Sequence, residues 1–415
     1  MEAVGGTPHQ FVCPISLQPM QDPVTAPTGI TYDRPAIERW LAAGHASCPV
    51  TGQPLSLADL TPNHTLRRLI EFWHSAPLTM TAAAPVERRQ EAAAAVVERL
   101  MATGGSCPSC DLLREAAAVA SESGVARRCM VDAGVLRRVL RLVVSCAKKR
   151  GQVWMATGDA CLALFHALDV SGDELRPLVA DNHDLVDAVT RMLTTLERGR
   201  DEAGDATRAS AVKLLESVVE VADASLLERM RPELFRAVTA VVRDRISPGA
   251  TRAALRMLLH ACPVGRNRAL IVEAGAAHEA IELELAAWVP QPPGGRRATE
   301  LVMALLAQLC ACADGRAAVA SHPAGIAVVA KRLLRVSAAA DACAVRVLAA
   351  VAGRAASPEV LREMARVGAV GKLCCVLQAD CDAAVKETAR AVLKMHSGVW
   401  SGSPCVSAYL LFRYL

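Results

Sequence analysis

Two cysteines near the start of the chain open short segments that have half the spacing of a metal site. The segments are "CPIS" at Cys13 and "CPVT" at Cys48, so Ser16 and Thr51 stand where a C-x-x-C pair would place its second thiolate. Structural zinc needs a complete tetrahedral set of ligands at local spacings, and these half-motifs do not supply it. We therefore predict no bound metal and no cofactor, with the hydroxyls tying the loops by hydrogen bonds instead.

A second chemical possibility for these cysteines is nucleophilic catalysis. In "HASC", His45 precedes Cys48 and has the residue type of a general base. A reactive cysteine needs neighbours that lower the pKa of its thiol, and the sequence around Cys48 shows none besides that histidine. The interpretation we favour is that both cysteines are structural and that any catalysis rests on positioning.

Around these cysteines, residues 9–76 have the pattern of a small α+β module. "DPVTAPTGITY" predicts two short strands with Gly29 in the turn between them. "DRPAIERWLAAG" predicts a helix with Pro35 in its first turn, and "PNHTLRRLIEFW" predicts a second helix capped by Asn63. The buried stripe predicted for this second helix consists of Leu66, Leu69, Ile70 and Trp73.

The remainder of the chain alternates apolar helical runs with short polar breaks. We assign residues 77–110 to a linker and first helix, 111–396 to a repeat array, and 397–415 to a tail that caps the array. Similar segments recur at about 40–47 residues, which indicates about six armadillo-type repeats of two or three helices each. Such units stack into a solenoid with one continuous core. The glycines that mark the repeats are Gly134, Gly275, Gly325 and Gly368.

Composition excludes several classes of function. The chain is 52% hydrophobic but only 3% aromatic, and its net charge of +4 is small for a nucleic-acid-binding protein. Its 15 cysteines are scattered through apolar runs, which fits reduced thiols better than disulfides. The N-terminal "MEAVGGTPHQ" lacks the pattern of a signal peptide. We therefore expect a mainly α, cytoplasmic protein that does not bind nucleic acid.

Five blocks of sequence, in order and spacing, resemble a known family. The blocks "CPISLQPMQDPV", "TGITYDR", "IERWL", "CPVTGQPL" and "LTPNHTLRRLIEFW" resemble the U-box, the zinc-free relative of the RING module in ubiquitin ligases. The tail "KMHSGVWSGSPCVSAYLLFRYL" resembles that of plant ligases that join a U-box to an armadillo array, in a group linked to immune and stress responses. The resemblance implies a ubiquitin transferase that forms no covalent ubiquitin intermediate.

The resemblance also implies where the partners bind. A conjugating enzyme charged with ubiquitin would dock on Cys13, Pro14, Ile15, Leu17, Trp40, Pro49 and Val50. Gln53 would help to position ubiquitin, although many family members carry a basic residue just after the C-P-V-T block, where this chain has Gly52 and then Gln53. The array would hold a protein substrate in its groove and promote its proteasomal degradation.

Several alternatives stay open from the sequence. A non-catalytic armadillo scaffold with a decayed U-box is the main one, because of Gly52. Peripheral membrane association and homo-oligomer formation are also open. The first lysine of the chain is Lys148, so we expect self-ubiquitination on the array, with Lys148 and Lys149 modified first.

Overall fold

The computed structural model describes residues 9–75, 83–104, 106–148, 152–182, 184–197, 202–286 and 295–402. The chain divides into two compact units, Met1–Arg88 and Arg89–Leu415. Among the described residues, no helix combines the length and the apolar character that a membrane-spanning segment requires.

The first unit contains a three-stranded antiparallel sheet and two helices. The strands are β1 (Pro23–Thr25), β2 (Thr31–Asp33) and β3 (Thr61–Pro62), in the order β2-β1-β3; the helices are α1 (Arg34–Ala42) and α2 (His64–Ser75). Val24 of β1 lies opposite Tyr32 of β2, and Gly29 in the turn between them has a φ of +80°. The side chain of Asn63 accepts a hydrogen bond from the Leu66 N–H at 2.9 Å and so caps α2. The predicted hairpin, both helices and this cap are therefore present.

The core of the first unit is thin, and it corrects one part of the predicted stripe on α2. Ile70 is buried and Leu66 packs against the core, but Leu69 is 52% exposed. On an ideal helix, Leu69 points about 100° away from Ile70, and only one narrow face of α2 meets the core. The side chain of Trp73 lies outside the described residues. The fully buried set comprises Cys13, Met20, Val24, Ala26, Tyr32, Ala36, Ile37, Cys48, Leu55 and Ile70.

The second unit is a stack of helices in triplets. Helix α3 (Ala83–Ala102) precedes the first triplet along the chain. The first three triplets are α4 (Cys110–Glu122), α5 (Gly124–Asp132), α6 (Val135–Lys148); α7 (Gln152–Leu168), α8 (Gly172–Ala180), α9 (Leu185–Leu196); and α10 (Glu202–Glu220), α11 (Ala224–Glu228), α12 (Pro232–Asp244). The next three are α13 (Pro248–Ala261), α14 (Gly265–Glu273), α15 (Ala276–Ala286); α16 (Gly295–Leu309), α17 (Ala313–Ser321), α18 (Gly325–Arg332); and α19 (Ala338–Val351), α20 (Pro358–Arg366), α21 (Ala369–Gln378). Helices α22 (Ala383–Met395) and α23 (Ser397–Trp400) follow.

The helices of successive triplets form two layers. The first helices pack on one another from α4 through α7, α10, α13 and α16 to α19, and the third helices pack from α6 through α9, α12, α15 and α18 to α21. One continuous apolar cluster runs from Ala93 of α3 to Trp400 of α23. No triplet buries its apolar faces alone, so each one depends on its neighbours. Because Ala93 belongs to this cluster, the array core begins inside the segment 77–110 that the sequence analysis assigned to a linker and first helix.

The repeat glycines have two different structural causes. Gly134, Gly275 and Gly368 lie between the second and third helices of their triplets with φ near +80°, a conformation that other residues rarely adopt. Gly325 has no positive φ, but a Cβ atom there would lie 2.1 Å from the carbonyl oxygen of Val319. The glycine at this position permits a close approach of two backbone segments rather than a left-handed turn.

A buried arginine joins the first and third helices of one triplet. Arg208 of α10, only 2% exposed, forms ion pairs with Asp205 at 3.0 Å and with Asp244 of α12 at 2.7 Å. Burial by itself would raise the pKa of Asp244, but its hydrogen bonds to Arg208 and Arg243 outweigh burial, so the pKa is lowered. The two arginines therefore stabilise the charged form of the Asp244 carboxylate.

Candidate docking site

The segment Cys13–Gln18, termed loop 1, is a compact turn closed by its own backbone. The Cys13 N–H donates to the Gln18 carbonyl at 2.8 Å, and the Leu17 N–H donates to the Cys13 carbonyl at 2.9 Å. A single antiparallel bridge between Val12 and Pro19 closes the base of the loop. The four residues at the tip are therefore held mainly by backbone hydrogen bonds.

The segment Cys48–Gln53, termed loop 2, has the same hydrogen-bond pattern. The Cys48 N–H donates to the Gln53 carbonyl at 2.7 Å, and the Gly52 N–H donates to the Cys48 carbonyl at 2.8 Å. A bridge between Ser47 and Pro54 closes this loop. Loops 1 and 2 are thus two copies of one backbone template, each starting with Cys-Pro.

The fifth residue of each loop has a left-handed backbone conformation. In loop 2 this residue is Gly52, with a φ of +70°; in loop 1 it is Leu17, with a φ of +56°. Leucine in this region costs about 1–2 kcal/mol, a cost that glycine avoids. The side chain of Leu17 gains little from packing in return, because it is 71% exposed. Loop 1 therefore carries an apolar side chain that is both strained and open to solvent.

Strand β2 anchors both loops through adjacent residues. The Asp33 N–H donates to the Cys13 Sγ at 3.2 Å, and the Asp33 carboxylate accepts the N–H groups of Gln21 and Asp22 at 2.9 and 2.8 Å. The Tyr32 hydroxyl hydrogen-bonds the Cys48 Sγ at 2.9 Å. The thiols at the two half-motif positions therefore connect the loops to the sheet through hydrogen bonds.

The hydroxyls at the other half-motif positions also contribute to this network. Ser16 Oγ accepts the Gln18 N–H at 3.4 Å, and Thr51 hydrogen-bonds Cys48 through both its side chain and its backbone. Asp22 takes no part in this contact: its N–H donates to the Asp33 carboxylate, and its own carboxylate pairs with Arg34 at 2.6 Å.

The environment of Cys48 differs from the sequence-based expectation. Burial alone would raise the pKa of its thiol, but hydrogen bonds with Thr51, Tyr32 and Thr28 together lower it to about 6. Burial, together with the contact to Cys48, raises the pKa of the Tyr32 hydroxyl. Groups that lower the Cys48 pKa are therefore present, although the sequence did not show them. The thiol is only 1% exposed, so it cannot reach a thioester on another protein.

Helix α1 positions loop 2 through Trp40. Its indole Nε1–H donates to the Ser47 carbonyl at 2.9 Å, and its ring stacks on His45 with centroids 4.1 Å apart. Trp40 is half-buried and packs against the core of the unit. It therefore supports the loop from one side while presenting its other edge to solvent.

The predicted docking residues differ in their exposure. Pro14, Leu17 and Val50 are exposed, the last by 55%, while Ile15, Trp40 and Pro49 are half-buried. Cys13 must be corrected: its side chain is fully buried, because the thiol accepts a hydrogen bond from β2 beneath the loop. Docking by the other residues stays a prediction.

Three further predicted residues are polar. Gln53 is exposed, and its side chain has no hydrogen-bond partner among the described residues. Lys148 is exposed and pairs with Asp184 at 3.0 Å. Lys149 lies outside the described residues, as do residues 403–415 of the predicted tail cap. Self-ubiquitination at the two lysines and capping by the tail stay predictions.

One cluster in the described part of the array has metal-ligand residue types. His278 and Glu282 of α15 approach His322, with their ligand atoms within 4.8 Å of one another. The Ala324 N–H donates to His322 Nδ1 at 3.1 Å, so the ring proton lies on Nε2, which faces the Glu282 carboxylate at 3.1 Å. A metal on Nε2 would need that proton on Nδ1, against the Ala324 N–H. The cluster therefore suits a hydrogen bond better than a metal.

With this geometry established, comparison with known proteins identifies the family. The profile described as "U-box domain" matches residues 7–77, and that described as "Plant U-box protein ARM repeat region" matches residues 93–415. The chain belongs to the plant U-box proteins with an armadillo repeat region. It is a ubiquitin-protein ligase of the U-box class, so the predicted fold class and enzyme class are confirmed.

Three relatives from Arabidopsis thaliana match along nearly the whole chain. E3 ubiquitin-protein ligase PUB23 is 41% identical over 416 residues, covering 98% of this chain and 97% of the relative. E3 ubiquitin-protein ligase PUB22 is 36% identical, covering 98% of both chains. E3 ubiquitin-protein ligase PUB24 is 34% identical, covering 98% of this chain and 96% of the relative.

Proposed function

We propose that the first unit docks a ubiquitin-charged conjugating enzyme through the tips of loops 1 and 2. Pro14, Leu17 and Val50 supply the exposed contacts, and Ile15, Trp40 and Pro49 support them. The observation that carries this proposal is Leu17, which is 71% exposed in a left-handed conformation that favours glycine. Exposed strain of this kind is typical of residues kept for binding rather than for stability.

In this mechanism the ligase acts by positioning. The reacting thioester is on the conjugating enzyme, and the attacking amine is on the substrate. Holding both reactants in one complex makes the transfer effectively unimolecular, and limiting the motion of ubiquitin raises the fraction of productive geometries. The exposed Gln53 amide serves as a neutral hydrogen-bond donor to ubiquitin and its carrier. Cys48 takes no covalent part because it is buried.

We further propose that the array holds the protein substrate and that modification leads to proteasomal degradation. The long stack of third helices supports this role, because such solenoids present extended binding surfaces. A role in plant immune and stress signalling in the cytoplasm is proposed from the resemblance of the C-terminal tail alone. Peripheral membrane association and homo-oligomer formation stay predictions.

The test is ubiquitin discharge by the purified full-length protein, with a metal chelator present. A charged conjugating enzyme would be mixed with free lysine as acceptor, so that no substrate is needed. We expect Ile15→Ala to slow discharge. For Gln53→Ala, we expect the fold-loss in discharge rate to exceed the fold-loss in affinity for the conjugating enzyme. Leu57→Ala is the matched control, because Leu57 is an apolar residue of the same unit, 57% exposed and outside both loops.

The outcomes separate the alternatives. Equal slowing by Leu57→Ala and Ile15→Ala would contradict docking through loop 1. Binding of the conjugating enzyme without discharge would favour the non-catalytic scaffold that Gly52 leaves open. Discharge that stops with the chelator would contradict a zinc-free unit.

A further inference from the structure

A basic cavity of about 410 Å³ lies at the beginning of the second unit. One wall is a stripe of α6 that includes Arg137, Arg138, Arg141 and Ser145. The opposite side is formed by Met101 at the end of α3 and by the loop that follows it. The cavity is large enough for one or two amino-acid side chains.

The positive charge of this stripe is only partly offset, by Asp181 at 3.9 Å from Arg137. Helix α6, with the sequence VLRRVLRLVVSCAK, carries four basic residues and no acidic one. None of the residues that line the cavity is acidic. In contrast, the third helix of the next triplet, α9, has one residue of each sign, and α15 has three glutamates and no basic residue except histidine. Helix α6 is therefore more basic than either of these two third helices.

One of the three arginines builds the wall of the cavity. Arg138 donates to the Gly104 carbonyl at 2.5 Å, to the Ser106 carbonyl at 3.3 Å, and to Thr103 Oγ1. Its guanidinium thus holds the loop after α3 against α6.

The other two arginines are available to a ligand. Arg137 lies 3.9 Å from Asp181 with both side chains more than half exposed, which is a weak pair in water. Arg141 is exposed and has no ion-pair or hydrogen-bond partner in the part of the chain that the structure describes. Two guanidinium groups one helical turn apart match carboxylate or phosphate groups spaced along an extended chain.

The basic face continues onto the adjacent helix. Helix α9 packs beside α6. Counted from the residue that precedes each helix, Arg191 occupies the same position in α9 as Arg141 does in α6. Arg191 is exposed and its side chain is also without a partner among the described residues. A ligand with several negative charges along its length fits this row better than a single small anion does.

We propose that this cavity binds an acidic segment of a protein partner, whose aspartate or glutamate side chains pair with Arg137 and Arg141. Met101 and Leu142 line the same cavity and contact the aliphatic part of such side chains. If the array holds substrates as proposed above, this site selects those with an acidic segment. Binding of the segment does not itself depend on that proposed function.

The test measures binding of a fluorescein-labelled glutamate-rich peptide to the full-length protein by fluorescence anisotropy. Arg137→Glu with Arg141→Glu should weaken binding about tenfold or more, because two attractive contacts become repulsive. The matched control is Arg128→Glu with Arg176→Glu, two exposed arginines on the short helices α5 and α8. Both double variants lower the net charge from +4 to zero, so a nonspecific charge effect would weaken binding equally.

Further measurements keep the result interpretable. Raising the salt concentration should weaken binding by wild type, and a lysine-rich peptide should not bind. Arg141→Gln, which removes one charge and keeps the shape, should give an intermediate loss if the double variant is poorly folded. Equal loss in both double variants, or binding of anionic lipid vesicles without binding of the peptide, would overturn the proposal.

The same variants distinguish this site from the docking proposal. Discharge of ubiquitin to free lysine requires only the first unit, so Arg137→Glu with Arg141→Glu should leave its rate unchanged. Loss of peptide binding with normal discharge would support the acidic-segment site. Absence of discharge in wild type with intact peptide binding would count against the docking proposal and leave this site standing.

Discussion

Replacing Leu17 by glycine should separate binding from stability in loop 1. Leu17 has a φ of +56° and its side chain is 71% exposed. Glycine removes a backbone cost of about 1–2 kcal/mol from the folded state. It also raises the entropy of the unfolded chain, which destabilises the folded state by about 0.5–1 kcal/mol. The small buried fraction of the leucine is lost as well. We expect the free energy of unfolding to change by less than about 1 kcal/mol.

Binding of the conjugating enzyme should respond much more strongly. Full burial of a leucine side chain contributes about 1.5–3 kcal/mol, and 71% of the Leu17 surface is still available for burial on docking. The expected loss on Leu17→Gly is therefore about 1–2 kcal/mol, which corresponds to roughly 5- to 30-fold weaker binding. The rate of ubiquitin discharge at low conjugating-enzyme concentration should fall by the same factor.

The reciprocal change in loop 2 is the control for this prediction. Gly52 occupies the equivalent backbone position with a φ of +70°, and a Cβ atom there would meet no atom within 4 Å. Gly52→Leu should therefore cost about 1–2 kcal/mol of stability through backbone strain alone. Chemical denaturation measures the stability of each variant, and ubiquitin discharge by the folded protein measures its activity. The reasoning would be refuted if Leu17→Gly lowered the free energy of unfolding by more than about 2 kcal/mol, or if the Leu17→Gly protein discharged ubiquitin at the wild-type rate.

Three further substitutions follow from the described contacts. Tyr32→Phe removes a hydroxyl from Cys48, so the thiol pKa should rise above 6, as read from the thiolate absorbance difference between each protein and its Cys48→Ser counterpart. Because the folded pKa lies below the ordinary value of 9.0, the stability from this thiolate is complete above pH 9 and is lost as pH falls through 6. Tyr32→Phe should therefore flatten the dependence of the free energy of unfolding on pH. An unchanged dependence would count against the role of the Tyr32 hydroxyl. Asn63→Ala should lower stability by about 1 kcal/mol through loss of the cap on α2, with Asn63→Asp close to wild type in denaturant titration. Arg208→Met leaves Asp244 without its buried partner and should destabilise the array by about 3 kcal/mol; a loss no larger than that of an exposed-pair control such as Arg362→Met would contradict this.

Local signals in the sequence predicted much of the first unit. Gly29 in its turn, Pro35 near the start of α1 and Asn63 as a cap each act on the neighbouring backbone, so their effect is visible in the chain itself. The exposure of Leu69 could not be predicted in this way. Periodicity shows that a helix has an apolar side, but not how much of that side a small core covers. Tertiary contacts decide that point.

The candidate site was predicted in outline and corrected in detail. The paired Cys-Pro segments indicated two related loops, but the burial of Cys13 depends on its hydrogen bond to Asp33, twenty residues away. The lowered pKa of Cys48 arises first from the nearby Thr51 and then from Tyr32 and Thr28, and no local pattern connects the last two to Cys48. Leucine in a left-handed conformation at position 17 has no sequence signal at all, since leucine ordinarily avoids that region.

The shared template of loops 1 and 2 gives this unit an unusual freedom to diverge. Each loop is closed by backbone hydrogen bonds and a buried thiol, with a further hydrogen bond involving Ser16 in loop 1 and Thr51 in loop 2. The other tip side chains are therefore not needed to hold its shape. Substitutions at the tips can then accumulate during gene duplication without a loss of folding, and each loop can change independently of the other. In such a ligase, the contacts that loop 1 makes with a partner and the contacts that loop 2 makes can evolve almost independently, while the fold of the unit stays the same.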